Sequence, residues 1–166
     1  MIRKLASTCF YVGCVPGAPG TYASLVAVGL CLLLMHFLGS AVAALIALAL
    51  AAVLFFLGAW LGRWAEGYFG TGDPSAFVLD EIVGYFVAVA PVLLVFPNAE
   101  VLPVLGLPFL FFRVFDVLKP FPVNVAETAP DGWGIMLDDV VAGCYAAVSS
   151  ITGMVLFADV LVRSGG

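Results

Sequence analysis

AVAALIALALAAVLFFLGAWL, residues 41–61, is an uninterrupted apolar stretch without a single charged side chain. A helix that crosses a bilayer needs roughly 20 consecutive, mostly apolar residues, so this stretch alone predicts one membrane span. The whole chain has the same character, with 64% hydrophobic and only 10% charged residues among its 166. About a quarter of the residues in a soluble domain are charged. The composition therefore indicates a membrane protein.

Four more apolar runs flank this stretch, at residues 22–38, 82–96, 101–118 and 140–161. Inside a bilayer only helices and closed barrels satisfy their backbone hydrogen bonds, and none of the runs shows the strict alternation of a strand. The runs at 22–38 and 82–96 are short for a full span. We therefore expect an all-α, polytopic membrane bundle of four or five apolar helices, folded as a single domain over residues 1–166.

Three polar segments lie between or before the runs, at residues 1–21, 62–79 and 119–137, and we expect them to be loops. Short cytoplasmic loops of membrane proteins are enriched in Lys and Arg. A cytoplasmic N-terminus and five spans place all three segments, and five of the six bases, on that side. A site formed by these polar segments is therefore expected to face the cytoplasm. The net charge of −5 argues against a nucleic-acid partner.

Two acidic pairs occur in nearly the same local sequence, LDEIV at 79–83 and LDDVV at 137–141. Each pair precedes an apolar run, where a predicted helix begins. Helix capping is the alternative explanation for a single pair, but two consecutive acids at two helix starts exceed that need. Since Mg²⁺ prefers carboxylate oxygens, the pairs together predict a magnesium site. Its expected ligands are Asp80, Glu81, Asp138 and Asp139.

A third cluster, Arg113-x-x-Asp116-x-x-Lys119, has the spacing that brings side chains together on one helix face. One interpretation is a salt-bridge ladder at the membrane border. The other is a phosphate site, because Arg offers phosphate oxygens a planar fork and Lys a point charge, while Asp116 can bind metal or orient water. Thr21 ends the Gly-rich segment at 13–21, which is either a structural turn or a helix start that holds an anion.

A small ion-coupled transporter is the alternative function, since acids inside a membrane also build cation pathways. Such a transporter needs acids near the bilayer midplane and on both sides of it. Here the acids gather at one predicted boundary, which favours an enzyme site. The only histidine, His36, lies in an apolar run, so a zinc site is not expected.

Several motifs, taken in chain order, resemble the phosphatidylglycerophosphatase A family of bacterial lipid phosphatases. They are PGAPGT at 16–21 with Ser24, Asp73-Pro74, VLDEIVG at 78–84, FFRVFDVLKPFP at 111–122 and GWGIMLDDVVAG at 132–143. The chain departs from the family pattern in two loop positions. Ala23 stands where many relatives have Gly, and Asp131 precedes one Gly instead of a pair.

The resemblance implies a Mg²⁺-dependent enzyme that hydrolyses phosphatidylglycerophosphate to phosphatidylglycerol and phosphate, at the cytoplasmic leaflet of the bacterial inner membrane. Its partner is then the phospholipid substrate, with the oligomeric state left open. The expected catalytic residues are Asp80, Glu81, Asp116 and Asp139. Those expected to bind the substrate phosphate are Arg113, Lys119 and Thr21. The expected metal ligands are Asp80, Glu81, Asp116, Asp138 and Asp139.

Overall fold

The structure, a computed structural model, describes residues 1–70, 74–130 and 132–164, with side chains as far as residue 157. A 3₁₀ turn covers Val12–Cys14. The α-helices are α1 Ile2–Ser7, α2 Pro19–Leu38, α3 Ser40–Phe69, α4 Leu79–Val95, α5 Val101–Leu118, α6 Val123–Ala126 and α7 Trp133–Ser164. No strand occurs in the described ranges, and the prediction of an all-α fold is confirmed.

Four helices are long and apolar enough to cross a membrane: α2, α3, α5 and the part of α7 up to Phe157. This agrees with the predicted bundle of four or five apolar helices. α3 has 30 residues, which corresponds to about 45 Å at the helical rise, whereas the hydrocarbon core is roughly 30 Å thick. The polar last turns of α3, with Arg63 and Glu66, therefore extend beyond its apolar part.

Three of the predicted loop boundaries are wrong. α3 runs through the first part of the predicted loop 62–79 and ends only at Gly70, whose φ is 76°. α7 begins at Trp133, seven residues before the predicted start at 140. α2 begins at Pro19, three residues before the predicted start at 22. In each case polar residues marked the end of an apolar run, but a helix continues outside lipid as long as its backbone hydrogen bonds are made.

α4 is the central helix of the bundle, and twelve of its 17 residues are buried. It packs most closely against α7 and α3 and also contacts α5 and α2. Gly84 permits this approach, because a Cβ there would lie 2.9 Å from the backbone oxygen of Asp139 and would collide with the ring of Phe112. The close contact fixes the acidic turn of α7 against the start of α4.

The helix ends converge at one end of the bundle, where the starts of α2, α4 and α7 meet the end of α5. Asp80 and Glu81 are the second and third residues of α4, as predicted. Asp138 and Asp139 are instead the sixth and seventh residues of α7, so the prediction that this pair begins a helix is wrong. Helix capping therefore cannot explain the second pair.

Candidate active site

An acidic pocket of about 280 Å³ lies at this end of the bundle. Backbone and side chains at the start of α2 form one wall, and Ser75 and Phe77 form another part of it. The charged lining residues are Asp80, Glu81, Arg113, Asp116, Lys119, Asp138 and Asp139. Every residue predicted from the acidic pairs and from the Arg113 cluster therefore contributes to one cavity, although these residues come from three helices and a helix end.

Arg113 connects two of the carboxylates on one side of the acidic pocket. Its Nη1 donates to Oε2 of Glu81 on α4 and lies 3.0 Å from Oδ2 of Asp116, one turn further along α5. Only 21% of the Arg113 side chain and 13% of the Glu81 side chain are exposed. The predicted i,i+3 contact on α5 therefore exists, but it is part of a network that reaches another helix.

Two residues of α2 lie close to the Glu81 carboxylate. Ser24 Oγ lies 3.2 Å from Glu81 Oε2 and 3.0 Å from the backbone oxygen of Gly20, and its single proton can serve one of these acceptors at a time. A Cβ at Gly20 would collide with the carboxylate of Glu81. Gly20 of the PGAPGT segment is therefore required, because the Glu81 side chain from α4 approaches it closely.

Lys119 connects carboxylates on the other side of the pocket. It follows the last residue of α5 in a left-handed conformation, with φ 42°. Its Nζ lies 2.8 Å from Asp138 Oδ2 and 2.8 Å from Oε1 of Glu127, which follows α6. Burial lowers the pKa of the Lys119 amine, but hydrogen bonds to Asp138 and Glu127 and their negative charges outweigh that effect and raise the pKa. Lys119 is therefore protonated at neutral pH.

Asp80 and Asp139 are the other members of the two acidic pairs, and both are almost fully buried, with 8% and 3% exposure. Asp139 experiences the negative charges of Glu81, Asp80, Asp116 and Asp138. Carboxylates at close range repel one another when ionised. Five carboxylates and two cationic side chains line the pocket, so the described lining has an excess of three negative charges when every group is ionised.

The donor set fits a hard divalent cation. Only carboxylate oxygens are offered as anionic ligands, which Mg²⁺ prefers over nitrogen and sulfur, and a cation offsets the excess negative charge. No three acidic, His or Cys side chains among the described residues already surround a common point as metal ligands do. Mg²⁺ is usually held by one or two carboxylates and keeps several waters, so it does not require three protein ligands at one point.

Thr21 is the one predicted site residue that stands apart from the others. It lies in the first turn of α2 and is partly exposed, while the wall of the acidic pocket comes from the three residues before it. Its assigned role in phosphate binding stays a prediction. Asp73, which belongs to a quoted motif, and Asp131, where the chain departs from the family pattern, lie outside the described residues.

The chain also matches known proteins. The family model described as Phosphatidylglycerophosphatase A matches residues 5–154. The chain belongs to this family. A phosphatidylglycerophosphatase A from Haemophilus influenzae is 36% identical over 140 residues, which cover 84% of this chain and 80% of the relative. The enzyme of that name from Escherichia coli K12 is 30% identical, with 83% and 75% covered. The resemblance inferred from the motifs is confirmed.

A further relative of the chain has a different name. A Bacteroides thetaiotaomicron protein provisionally named a phosphatidylinositol-3-phosphatase is 37% identical over 145 residues, 87% of this chain and 88% of the relative. No solved structure matches the chain. Family membership identifies the chain as a phosphatase, which confirms the predicted enzyme class and favours it over the transporter alternative.

Proposed function

We propose that this chain is a single-domain, Mg²⁺-dependent lipid phosphatase that hydrolyses phosphatidylglycerophosphate to phosphatidylglycerol and phosphate. The observation that carries the proposal is the convergence of Asp80, Glu81, Asp116, Asp138 and Asp139 with Arg113 and Lys119 in one pocket. The substrate is the one named for the Haemophilus influenzae and Escherichia coli relatives. The location that we propose is the bacterial inner membrane, with the pocket facing the cytoplasm.

Arg113 and Lys119 are assigned to the phosphate oxygens. Hydrolysis of a phosphate ester depends mostly on positioning and on stabilising charge on the equatorial oxygens, which fixed cations provide best in a pocket shielded from water. Both bases already hold carboxylate oxygens at hydrogen-bonding distance. Phosphate oxygens have the same charge and a similar geometry, so the bound substrate replaces part of these contacts.

The metal is assigned to the five carboxylates, with Asp80 and Asp139 first, because both are buried and Asp139 experiences the negative charges of the other four. When bound, Mg²⁺ polarises the phosphoryl group and lowers the pKa of a bound water. A carboxylate in the pocket, Asp116 or Glu81, takes the proton of the attacking water. Ser24 and Arg113 hold Glu81 in place for that role, whereas Asp116 is held by Arg113.

Phosphate release from vesicles tests this function. The full chain is incubated with vesicles that contain phosphatidylglycerophosphate, phosphatidylinositol 3-phosphate or phosphatidic acid, each in EDTA and with added Mg²⁺. We expect rapid release from phosphatidylglycerophosphate only when Mg²⁺ is present. Preference for phosphatidylinositol 3-phosphate would assign the activity named for the Bacteroides relative, and full activity in EDTA would refute the metal dependence.

A further inference from the structure

An exposed apolar groove on α5 lies directly beside the acidic pocket. The groove has a volume of about 340 Å³ and is lined by Leu110, Arg113, Val114, Val117 and Leu118. Its four apolar residues are 39–71% exposed. They recur at the three- and four-residue spacing of one helix face, so they form a continuous apolar strip. We call this surface the α5 groove.

Arg113 belongs to both the α5 groove and the acidic pocket. The remaining residues of the groove are apolar, while those around the pocket are mostly charged. A ligand with a phosphate on Arg113 and an apolar portion attached to it can therefore occupy both surfaces without passing through the bundle. α5 also contacts α2 much less than it contacts α7.

We propose that the α5 groove holds the acyl chains of the phospholipid whose phosphate is bound in the acidic pocket. The proposal rests on the proposed function, and it adds the path by which the lipid reaches the site. Burying acyl methylenes on this strip adds affinity through the hydrophobic effect, and the guanidinium of Arg113 marks the border between the apolar and polar parts of the ligand.

A second apolar groove serves as a matched comparison. It has a volume of about 330 Å³ and is formed by α3, α4 and α7, with Leu48 and Phe56 on α3 and Val87 on α4. It has no described lining residue in common with the acidic pocket. A Cβ at Gly143 of α7 would collide with the backbone oxygen of Gly84, so α4 and α7 leave no passage at that level. Arg113 is not among the described residues that line this groove, so a lipid here would lack the contact proposed for the phosphate.

Photo-crosslinking distinguishes the two grooves. The wild-type full chain is placed in phosphatidylcholine vesicles with phosphatidylglycerophosphate that carries a diazirine midway along one acyl chain, and the labelled peptides are mapped by mass spectrometry. Label that excess unlabelled phosphatidylglycerophosphate removes is taken as specific. We expect specific label in residues 110–118. In Arg113→Ala it should fall about tenfold, as expected when a charged hydrogen-bond partner is lost.

Matched substitutions give a kinetic readout on the same vesicles. Val117→Trp fills the α5 groove and should raise KM about tenfold, the effect of losing roughly two buried methylene groups, with kcat nearly unchanged. Leu48→Trp fills the second groove and should leave both constants unchanged. Both positions are exposed in the structure, at 71% and 39%.

The outcomes separate the two proposals. Specific label at residues 48–56, label spread evenly over the exposed helices, or crosslinks between two copies of the chain through α5 would each overturn the groove. Label on α5 that depends on Arg113, without any phosphate release by the wild type, would support the groove and refute the proposed function. Phosphate release together with specific label on α5 supports both.

Discussion

The two acidic pairs have nearly the same sequence but different surroundings. In each pair the first aspartate accepts the backbone N–H of the second acid, at 2.9 Å in both cases. Arg113 then pairs with the second acid of the α4 pair, Glu81, whereas Lys119 pairs with the first acid of the α7 pair, Asp138. The basic partner therefore contacts the second acid in one pair and the first acid in the other. The register of the helix and the position of the neighbouring helix decide which carboxylate contacts a cation.

The difference suggests a division of labour. Glu81 and Asp138 contact Arg113 and Lys119, while Asp80 and Asp139 are buried, at 8% and 3% exposure. We infer that these two serve the metal first and that Glu81 and Asp138 hold the phosphate-binding bases. Substitutions in and around the acidic pocket test this division.

Removal of the charge of Asp139 should have the largest effect. Asp139→Asn keeps the shape of the side chain but removes one metal ligand from the pocket, and we expect the rate of phosphate release to fall at least about 10³-fold, within the range for essential catalytic groups. Glu100→Gln, in the exposed turn at the other end of the bundle, is the control. An Asp139→Asn enzyme with more than a tenth of the wild-type rate contradicts the division.

Arg113→Ala should reduce kcat/KM by about 10²–10³-fold, the typical loss when a preorganised charge-stabilising donor is removed. Lys119→Ala should cost less, because Lys119 is shared between Asp138 and a more exposed partner, Glu127. Phosphate release as a function of substrate concentration measures both. Equal losses of kcat/KM in the two variants would show that Arg113 and Lys119 contribute equally to the reaction.

Gly20→Ala tests the α4 side of the site through the neighbouring helix α2. The added Cβ would displace the Glu81 carboxylate from Ser24 and Arg113, so we expect the rate to fall about tenfold, as for the loss of one charged hydrogen bond. Gly29→Ala in the same helix is the matched control, since a Cβ there meets nothing within 4 Å. If both variants behave alike, the close contact at Gly20 has no bearing on activity.

Glu127→Gln should have the smallest effect. Glu127 is 44% exposed at its side chain, and exposed ion pairs contribute roughly 1 kcal/mol or less. We expect a change in KM of about fivefold or less, with kcat retained, because Lys119 keeps its contact with Asp138. A large loss of kcat would instead place Glu127 among the essential residues.

The sequence predicted most of the site for a physical reason. Charged residues are costly in an apolar bundle unless they are grouped, so their positions along the chain identified the acids, Arg113 and Lys119. The prediction for the run at 101–118 matches α5 residue for residue. The predicted ends of α3 and α7 were wrong because amino-acid polarity reports the border of the apolar layer and carries no information on where a helix stops.

Residues whose role depends on a distant partner could not be predicted in this way. Gly20 and Ser24 matter because Glu81, 57 residues after Ser24, approaches them, and a local pattern shows only a Gly-rich turn. Glu127 could have been noticed as an acid between Lys119 and Asp138, but its contact with Lys119 depends on the short helix α6. Which acid of each pair meets a base also depends on packing between α4, α5 and α7.

Direct binding of a divalent cation tests whether the carboxylates of the acidic pocket, Asp80 and Asp139 first, bind a metal ion. Mn²⁺, a paramagnetic substitute for Mg²⁺, is titrated into the purified full chain and followed by electron paramagnetic resonance. We expect saturable Mn²⁺ binding that Mg²⁺ displaces. Asp80→Asn and Asp139→Asn should each weaken this binding strongly, and Glu100→Gln should leave it intact. Unchanged Mn²⁺ affinity in both aspartate variants would contradict the proposed metal site.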